Sequence, residues 1–339
     1  MTVWSSLHAQ IHQTLRSRSS PVSGHPPQPL LPKRHKILVG ISGGQDSQCL
    51  LRLLVDLQDK WHWQLYCVHC DHRWPADVGN AQFVAQCTEV WEIPCIIKVA
   101  EHPPQGEGAA RQWRYQVFET VARETGCTHV VTAHTASDRA ETLLYNLVRG
   151  SGTDGLQALG WQRSLSPTAP DISLVRPLLA VTRAETGQFC QDFNIPVWDA
   201  RTNADRAYAR NRMRLDVLPL LREQFNPRVD ATLAQTAEIL AAEVDYLEAA
   251  ARTVLTQCVM DGRIQRRSLR QAPLALQRRV IRQVLKSQLG AAPQFEHVEK
   301  VVTLLGAPNR SQTDPLPGGA IAVVDDPWVI FKFPANTIN

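Results

Sequence analysis

No apolar run in this sequence approaches the ~18 residues of a membrane-spanning helix, which excludes that class. Nor does one sign of charge dominate: 36 Lys and Arg stand against 32 Asp and Glu, a net charge of +4. So small an excess is weak evidence for an anionic partner, and the placement of the charges matters more than their sum. No internal repeat is visible. The first 35 residues contain no acidic residue while holding Arg16, Arg18, Lys33 and Arg34, a composition shared with organellar transit peptides. Yet Trp4, Leu7, Ile11 and Leu15 recur at helical spacing, and the long apolar segment of a secretory signal is missing. The expectation is a cytoplasmic protein whose N-terminal extension, residues 1–35, packs a short helix on the body.

The cysteines also lack the pattern that would make them functional. There are eight, scattered through a chain of 339 residues that can bury a core without disulfides, which points to a reducing compartment. Cys67 and Cys70 form a close pair, but a zinc site would need a second pair and an iron–sulfur site a third well-placed thiol. On a strand of period two, these thiols face opposite sides of the sheet.

What is present is globular: 44% hydrophobic and 20% charged residues, at a length that suits two domains of roughly 100–200 residues each. Short apolar runs at 37–41, 65–68, 95–99 and 129–133 alternate with helical patterns at 50–57, 78–91, 109–125 and 138–148. This alternation predicts an open α/β domain with a parallel sheet covered by helices on both faces. A loose Gly/Ser/Pro stretch follows at 151–170, then a last strand at 172–175 and helices at 183–193 and 211–225. Residues 229–259 carry apolar positions every three or four residues and predict one long amphipathic helix. Helices at 275–289 and 297–305 and a hairpin around Asp325-Asp326-Pro327 complete a smaller, mainly helical C-terminal domain. The expected boundaries are 36–225 for the catalytic domain and 226–339 for the second, joined by the long helix.

Between the first strand and its helix lies Ser42-Gly43-Gly44-Gln45-Asp46-Ser47. Glycines allow a tight turn, and the free amides of the next helix face any anion bound there. Ser42 and Ser47 add hydroxyls. The loop lacks the Gly-Lys-Ser/Thr ending of a Walker A motif and is not Gly-x-Gly-x-x-Gly, so γ-phosphate transfer and nicotinamide dinucleotides are disfavoured. Asp46 beside phosphates invites Mg²⁺.

The loop resembles the Ser-Gly-Gly-x-Asp-Ser signature of the PP-loop ATP pyrophosphatases (adenine nucleotide α-hydrolase-like fold). Within them the chain is similar to the tRNA(Ile)-lysidine synthetase family. Val68-His69-Cys70-Asp71-His72, Ala110-Arg111-Gln112-Trp113-Arg114-Tyr115, and Thr132-Ala133-His134 with Asp138 to Thr142 match its ordered motifs. So do Leu147 to Gly152, Arg176-Pro177-Leu178-Leu179, Asp199 with Asn203, and Arg210-Asn211 with Arg214. Thr135 departs from the family's second histidine, and Ser137 from an acidic residue. The resemblance implies ligation of free lysine to C2 of the wobble cytidine of a tRNA(Ile) with a CAU anticodon. ATP would first adenylate O2 of the base, releasing pyrophosphate; the lysine ε-amine would then displace AMP. A homodimer is a state that family members often adopt.

On this reading residues 42–47 hold ATP, Asp46 and Asp138 hold Mg²⁺, and Asp46, Arg111, His134, Asp138 and Glu141 are the catalytic candidates. His134 is placed to bind α-phosphate or move a proton, and Asp71 and Glu141 compete to orient the lysine ammonium. Arg114, Arg149, Arg176, Arg210, Arg214, Arg266 and Arg270 are candidate substrate and tRNA contacts. Two basic runs support RNA: five arginines against one aspartate at 201–214, and eight basic residues without an acid at 263–286. A tRNA thiolase and a non-catalytic RNA-binding protein are the alternatives.

Overall fold

Lys36–Gly40 (β1) sets the plan of the first unit. Ile37, Leu38 and Val39 are all fully buried, because the strand is covered on both faces and cannot alternate with polar residues. Ile37 and Val39 pack into one core cluster and Leu38 into another, on the other side of the sheet. Cys67 and Cys70 divide between the same two clusters, as their spacing predicts.

The computed structural model describes residues 4–17, 19–20, 28–199, 206, 209–290 and 292–334. By internal contacts the chain divides into Met1–Leu240 and Ala241–Asn339. In the first unit, α1 (Ser6–Ser17) buries Leu7, Ile11 and Leu15 against the large cluster that also holds Leu50, Leu54 and Trp61 of α2 (Gln45–Trp61). The remaining elements of the sheet are β2 (Gln64–Asp71), β3 (Cys95–Val99), β4 (His129–Val131), β5 (Gln162–Ser166) and β6 (Ala169–Val175). Their helices are α3 (Asn80–Val90), α4 (Gly106–Thr125), α5 (Ala136–Val148) and α6 (Arg183–Asp192).

The six strands lie in the order β3-β2-β1-β4-β6-β5. All neighbours are parallel except β5, which runs antiparallel to β6 along the edge. The chain winds outward from β1 to one side and then restarts at β4 on the other. A crevice therefore opens at the carboxyl ends of β1 and β4, where the loops diverge. Beyond α6, Ala209–Arg212 (α7) leads into a π-helical turn, Met213–Val217, and then Leu218–Gln224 (α8). Pro219 lacks an N–H to continue the preceding α ladder, which accounts for a wider turn just before it.

The division between units falls inside α9 (Val229–Cys258), a 30-residue helix. The second unit contains more sheet than helical periodicity predicts: Val259–Met260, Arg263–Gln265, Ile321–Asp325 and Trp328–Lys332 form a four-stranded antiparallel sheet. Arg266–Gln271, Leu274–Leu289 and Phe295–Leu304 are its helices, and Val280, Ile281, Val284, Val301 and Val329 lie in its core.

The basic run at 263–286 is largely neutralised within this unit. Arg263 pairs with Asp261, Arg267 with Asp326, Arg278 with Glu299, and Arg279 and Arg282 with Glu248. All four acids lie outside the run, and all but Asp261 are far from it in sequence. Arg266 is buried, bonding the carbonyls of Leu305 and Ala307 and pairing with Asp326 at 3.4 Å. It is a buried clamp rather than a surface cation, contrary to its expected place among the RNA contacts. Arg270 is exposed and has no acidic partner among the described residues.

Candidate active site

The loop after β1 is built for close approach. Gly43 has φ +81°, and a Cβ there would stand 2.5 Å from Asn80 Oδ1, so only glycine fits. Asn80 Nδ2 in turn donates to the Ser42 carbonyl at 3.0 Å. Ser47 Oγ donates to the Gly44 carbonyl and accepts from the Ser42 amide and hydroxyl. Gly44 caps α2 without any side-chain bond, leaving the first-turn amides of α2 to serve an anion. The loop borders a crevice of about 790 Å³ that also reaches His69, Asp71, Arg114, Tyr115, His134, Asp138, Arg183 and Arg214.

Asp46 and Asp138 line this crevice and the fully buried Glu141 lies behind them, the three interleaved with three arginines. Arg183 bonds Asp46 Oδ2 at 3.0 Å, approaches Asp138 Oδ1 at 3.4 Å and lies 3.6 Å from Glu141 Oε1. Arg214 bonds Glu141 Oε1 at 2.7 Å and Oε2 at 3.0 Å; Arg210 meets Glu141 Oε2 at 3.3 Å and Asp138 Oδ1 at 3.5 Å. Three carboxylates thus face three guanidiniums, and Arg210 also reaches the exposed Glu107 at 3.5 Å. Burial alone would raise the Asp138 carboxyl, but Arg183, His134, Arg210 and the Thr135 amide outweigh it and hold it well below the ordinary range. Asp46 goes the other way: burial and the nearby Asp138 charge raise it against the pull of Arg183 and a bond from Thr186.

Local structure explains the departure at Thr135. Its hydroxyl caps α5, and Asp138 Oδ2 closes a capping box by accepting from the Thr135 amide at 2.8 Å and its hydroxyl at 2.9 Å. Asp138 is therefore both a dipole partner and a site residue: Oδ2 serves the helix and Oδ1 faces the arginines. The sequence reading missed Arg183. It sits at the first position of α6, behind a second capping box made by Thr182 and Glu185. A cation at a helix N-terminus opposes the macrodipole, and that mismatch was the readable signal.

His134 Nδ1 lies 3.0 Å from Thr132 Oγ1, and burial lowers its pKa to about 3, leaving the ring neutral at physiological pH. Burial also lowers Arg114. Arg111 stacks on the Tyr115 ring at 4.9 Å, and Arg176 is 2% exposed with one nitrogen on the Gly160 carbonyl. Arg149 stands outside this group, exposed at the end of α5 and bonded to the Tyr145 hydroxyl. Asp71 borders the crevice at the end of β2 and caps the turn to Arg73, whereas Glu141 lies among the arginines. Asp199 borders the crevice; Asn203 and Arg201 lie outside the described residues.

Comparison with known proteins gives this geometry a family. The PP-loop domain family matches residues 9–221, and the TilS substrate binding domain family matches residues 265–325. The chain is 48% identical to the tRNA(Ile)-lysidine synthase of Nostoc sp. strain PCC 7120, covering 97% of this chain and 98% of that one. It is 46% identical to the Synechocystis sp. strain PCC 6803 enzyme of the same name over 97% and 98%. It is 34% identical to the chloroplastic tRNA(Ile)-lysidine synthase of Zygnema circumcarinatum over 78% and 74%. Among solved structures, the U34-tRNA thiolase NcsA of Methanococcus maripaludis, with its [4Fe-4S] cluster, shares the fold at a TM-score of 0.55 and 15% identity, covering 69% of this chain and 77% of that one. With the phosphate loop, the carboxylate–arginine cluster and near-complete coverage by these relatives, the chain belongs to the tRNA(Ile)-lysidine synthase family of PP-loop enzymes.

Proposed function

We propose that this enzyme ligates lysine to C2 of the wobble cytidine of a tRNA(Ile) with a CAU anticodon, consuming ATP and releasing pyrophosphate and AMP. The observation that carries the reading is the meeting of the phosphate loop after β1 with Asp46, Asp138 and Glu141 at the point where the strand order reverses. ATP lies with its phosphates over residues 42–47, held by the α2 amides, while the Ser42 and Ser47 hydroxyls brace the loop. Asp46 and Asp138 would hold Mg²⁺: each directs an oxygen at the same Arg183 nitrogen, at 3.0 and 3.4 Å, so two hard donors converge on one cationic position. When bound, that ion supplies positive charge opposite the pyrophosphate that leaves.

The target base leaves its stack to enter the crevice, where its O2 attacks the α-phosphate and becomes adenylated. Neutral His134 lies beside that reaction with a ring nitrogen free to accept or pass a proton. In the second step the lysine ε-ammonium gives up a proton to solvent, its neutral amine attacks C2, and the C2–O2 bond breaks as AMP leaves with that oxygen. Glu141, held by Arg210 and Arg214, orients the ammonium; Arg111 and Arg114 supply anion-binding forks. Residues 36–225 carry this chemistry, while residues 226–339 dock the tRNA body with exposed cations such as Arg270.

The test is direct. Purified protein is incubated with ATP, Mg²⁺, labelled free lysine and bulk bacterial tRNA, and label is counted in RNA after mild alkali. Aminoacyl esters are destroyed by alkali, whereas lysine bonded to a base remains. Stable label confined to the isoleucine CAU tRNA is expected. Its absence, in protein that binds both ATP and that tRNA, would refute the proposal.

A further inference from the structure

Next to the neutral carboxylate–arginine cluster lies a second group of arginines with no acid in it. Arg111 from α4, Arg163 from the edge strand β5 and Arg176 from the end of β6 surround the Tyr115 side chain. The Arg111 and Arg163 guanidiniums lie 4.9 and 5.0 Å from its ring centre. Arg163 and Arg176 both act on the Tyr115 phenol, stabilising its charged form. Three N–H groups of Arg163 and Arg176 go to backbone carbonyls: Arg163 to Ser164 and Leu165 at 2.7 and 2.8 Å, and Arg176 to Gly160 at 2.6 Å. No carboxylate among the described residues forms an ion pair with any of the three.

Such an arrangement is expensive unless something completes it. Arg176 is 2% exposed, and its Nε finds no partner among the described residues. A buried cation without a counter-charge bears a desolvation penalty that no ion pair repays. Burial and the neighbouring Arg163 and Arg111 lower the Arg176 pKa to about 10 despite the Tyr115 oxygen. Burial would raise the Tyr115 phenol, but the surrounding guanidiniums bring it below its usual value. Tyr115 borders the crevice while Arg163 is exposed, so the group runs from solvent to the reaction site.

We propose that Arg111, Tyr115, Arg163 and Arg176 form a phosphate-binding site at the rim of the crevice, separate from the loop at 42–47. Forked donors arriving from three elements suit a tetrahedral oxyanion. The inference rests on the proposed function, which offers two sources of that chemistry: a backbone phosphate flanking the target nucleotide, or the pyrophosphate freed from ATP.

Arg163→Gln tests it, because the residue is exposed and the variant should melt within a degree or two of the wild type. Arg123→Gln is the charge control: it removes another exposed cation, on α4, that is paired with Glu119 and Asp171. Equilibrium binding of tRNA over a salt series, and of inorganic pyrophosphate, is measured without turnover. Loss of one charged contact weakens its ligand by roughly tenfold or more. If RNA is the source, tRNA affinity falls by that factor and the slope of log K against log salt shrinks by about 0.7. If pyrophosphate is the source, its affinity falls by that factor and tRNA binding holds. Unchanged binding of both ligands, or equal losses in Arg123→Gln, would overturn the proposal. Failure of the wild type to incorporate lysine would instead count against the proposed reaction, since these binding measurements do not depend on it.

Discussion

Replacing Arg183 by methionine keeps much of the side-chain volume and removes the cation that touches all three carboxylates. At 3.0 Å and an effective dielectric of about 20, each close pair is an attraction of ~5 kcal/mol, most of it offset by the cost of removing the charges from water. Breaking a buried pair typically costs ~3–5 kcal/mol because the partner is stranded. The Arg183 side chain is 33% exposed, so solvent screens part of this and ~2–3 kcal/mol is the expected loss. For a unit the size of Met1–Leu240, that lowers the unfolding temperature by roughly 5–10 °C. Asp46, Asp138 and Glu141 would then face only Arg210 and Arg214, leaving one negative charge in excess. Added Mg²⁺ should therefore raise the melting temperature of Arg183→Met by more than it raises that of the wild type. Calorimetric scans with and without Mg²⁺ measure both effects. A loss of less than about 1 °C, or an equal Mg²⁺ response in the two proteins, would refute the idea that Arg183 occupies the cation position.

Other perturbations separate the parts of the molecule. Gly43→Ala places a Cβ 2.5 Å from Asn80 Oδ1 at φ +81°, adding ~1–2 kcal/mol of backbone strain alone; ATP affinity measured by calorimetry should fall at least tenfold with the far-ultraviolet spectrum unchanged. Asp46→Asn keeps the size of the side chain but removes its charge, so Mg²⁺-dependent pyrophosphate release should disappear in a phosphate-coupled assay. Arg266→Ala should lower the unfolding temperature measurably, because the buried guanidinium bonds two carbonyls and Asp326, whereas exposed Arg270→Ala should weaken only tRNA binding. His129, lowered to about 4 by burial and His35, tests pH linkage. The unfolded imidazole protonates near 6.5, so between about 6.5 and 4 the unfolded chain binds more protons and wild-type stability falls as pH falls. His129→Gln should remove roughly 2 kcal/mol of that acid loss, read from urea unfolding at neutral pH and near pH 4.

The sequence was most readable where burial on two faces imposed one chemistry. β1 had to be continuously apolar, and the Ser-Gly-Gly-x-Asp-Ser turn had to follow it, so the phosphate loop and its place at a strand end could be read directly. The edge strand β5 was not legible because only Leu165 is buried in it; Gln-Arg-Ser-Leu-Ser has neither an apolar run nor a clean alternation. Its parent stretch therefore read as loop, and Arg163 was lost with it. Charge partners were harder still. Glu248 and Asp326 neutralise a run that begins 15 residues after one and ends 40 before the other, and no local pattern joins them. Arg183 lay in the gap between two recognised motifs, Arg176 to Leu179 and Asp199 with Asn203, although its unfavourable position at a helix N-terminus marked it.

The two arginine groups of the first unit imply different responses to ligands under the proposed function. Arg183, Arg210 and Arg214 already neutralise Asp46, Asp138 and Glu141, so a nucleotide and its cation must exchange existing ion pairs for new ones. Such an exchange gains little net electrostatic energy, because attraction is lost as well as made. Arg111, Arg163 and Arg176 have no carboxylate to release, and a phosphate arriving there removes a standing charge excess. Binding at the rim should accordingly be the more salt-dependent event, while the inner cluster responds chiefly to the presence of a divalent cation. This division also predicts opposite signs for charge removal. Neutralising Arg163 relieves repulsion in the free protein while weakening its ligand, whereas neutralising Arg183 destabilises the free protein and sharpens its demand for a cation. A single basic crevice of uniform function would give the same sign at both positions.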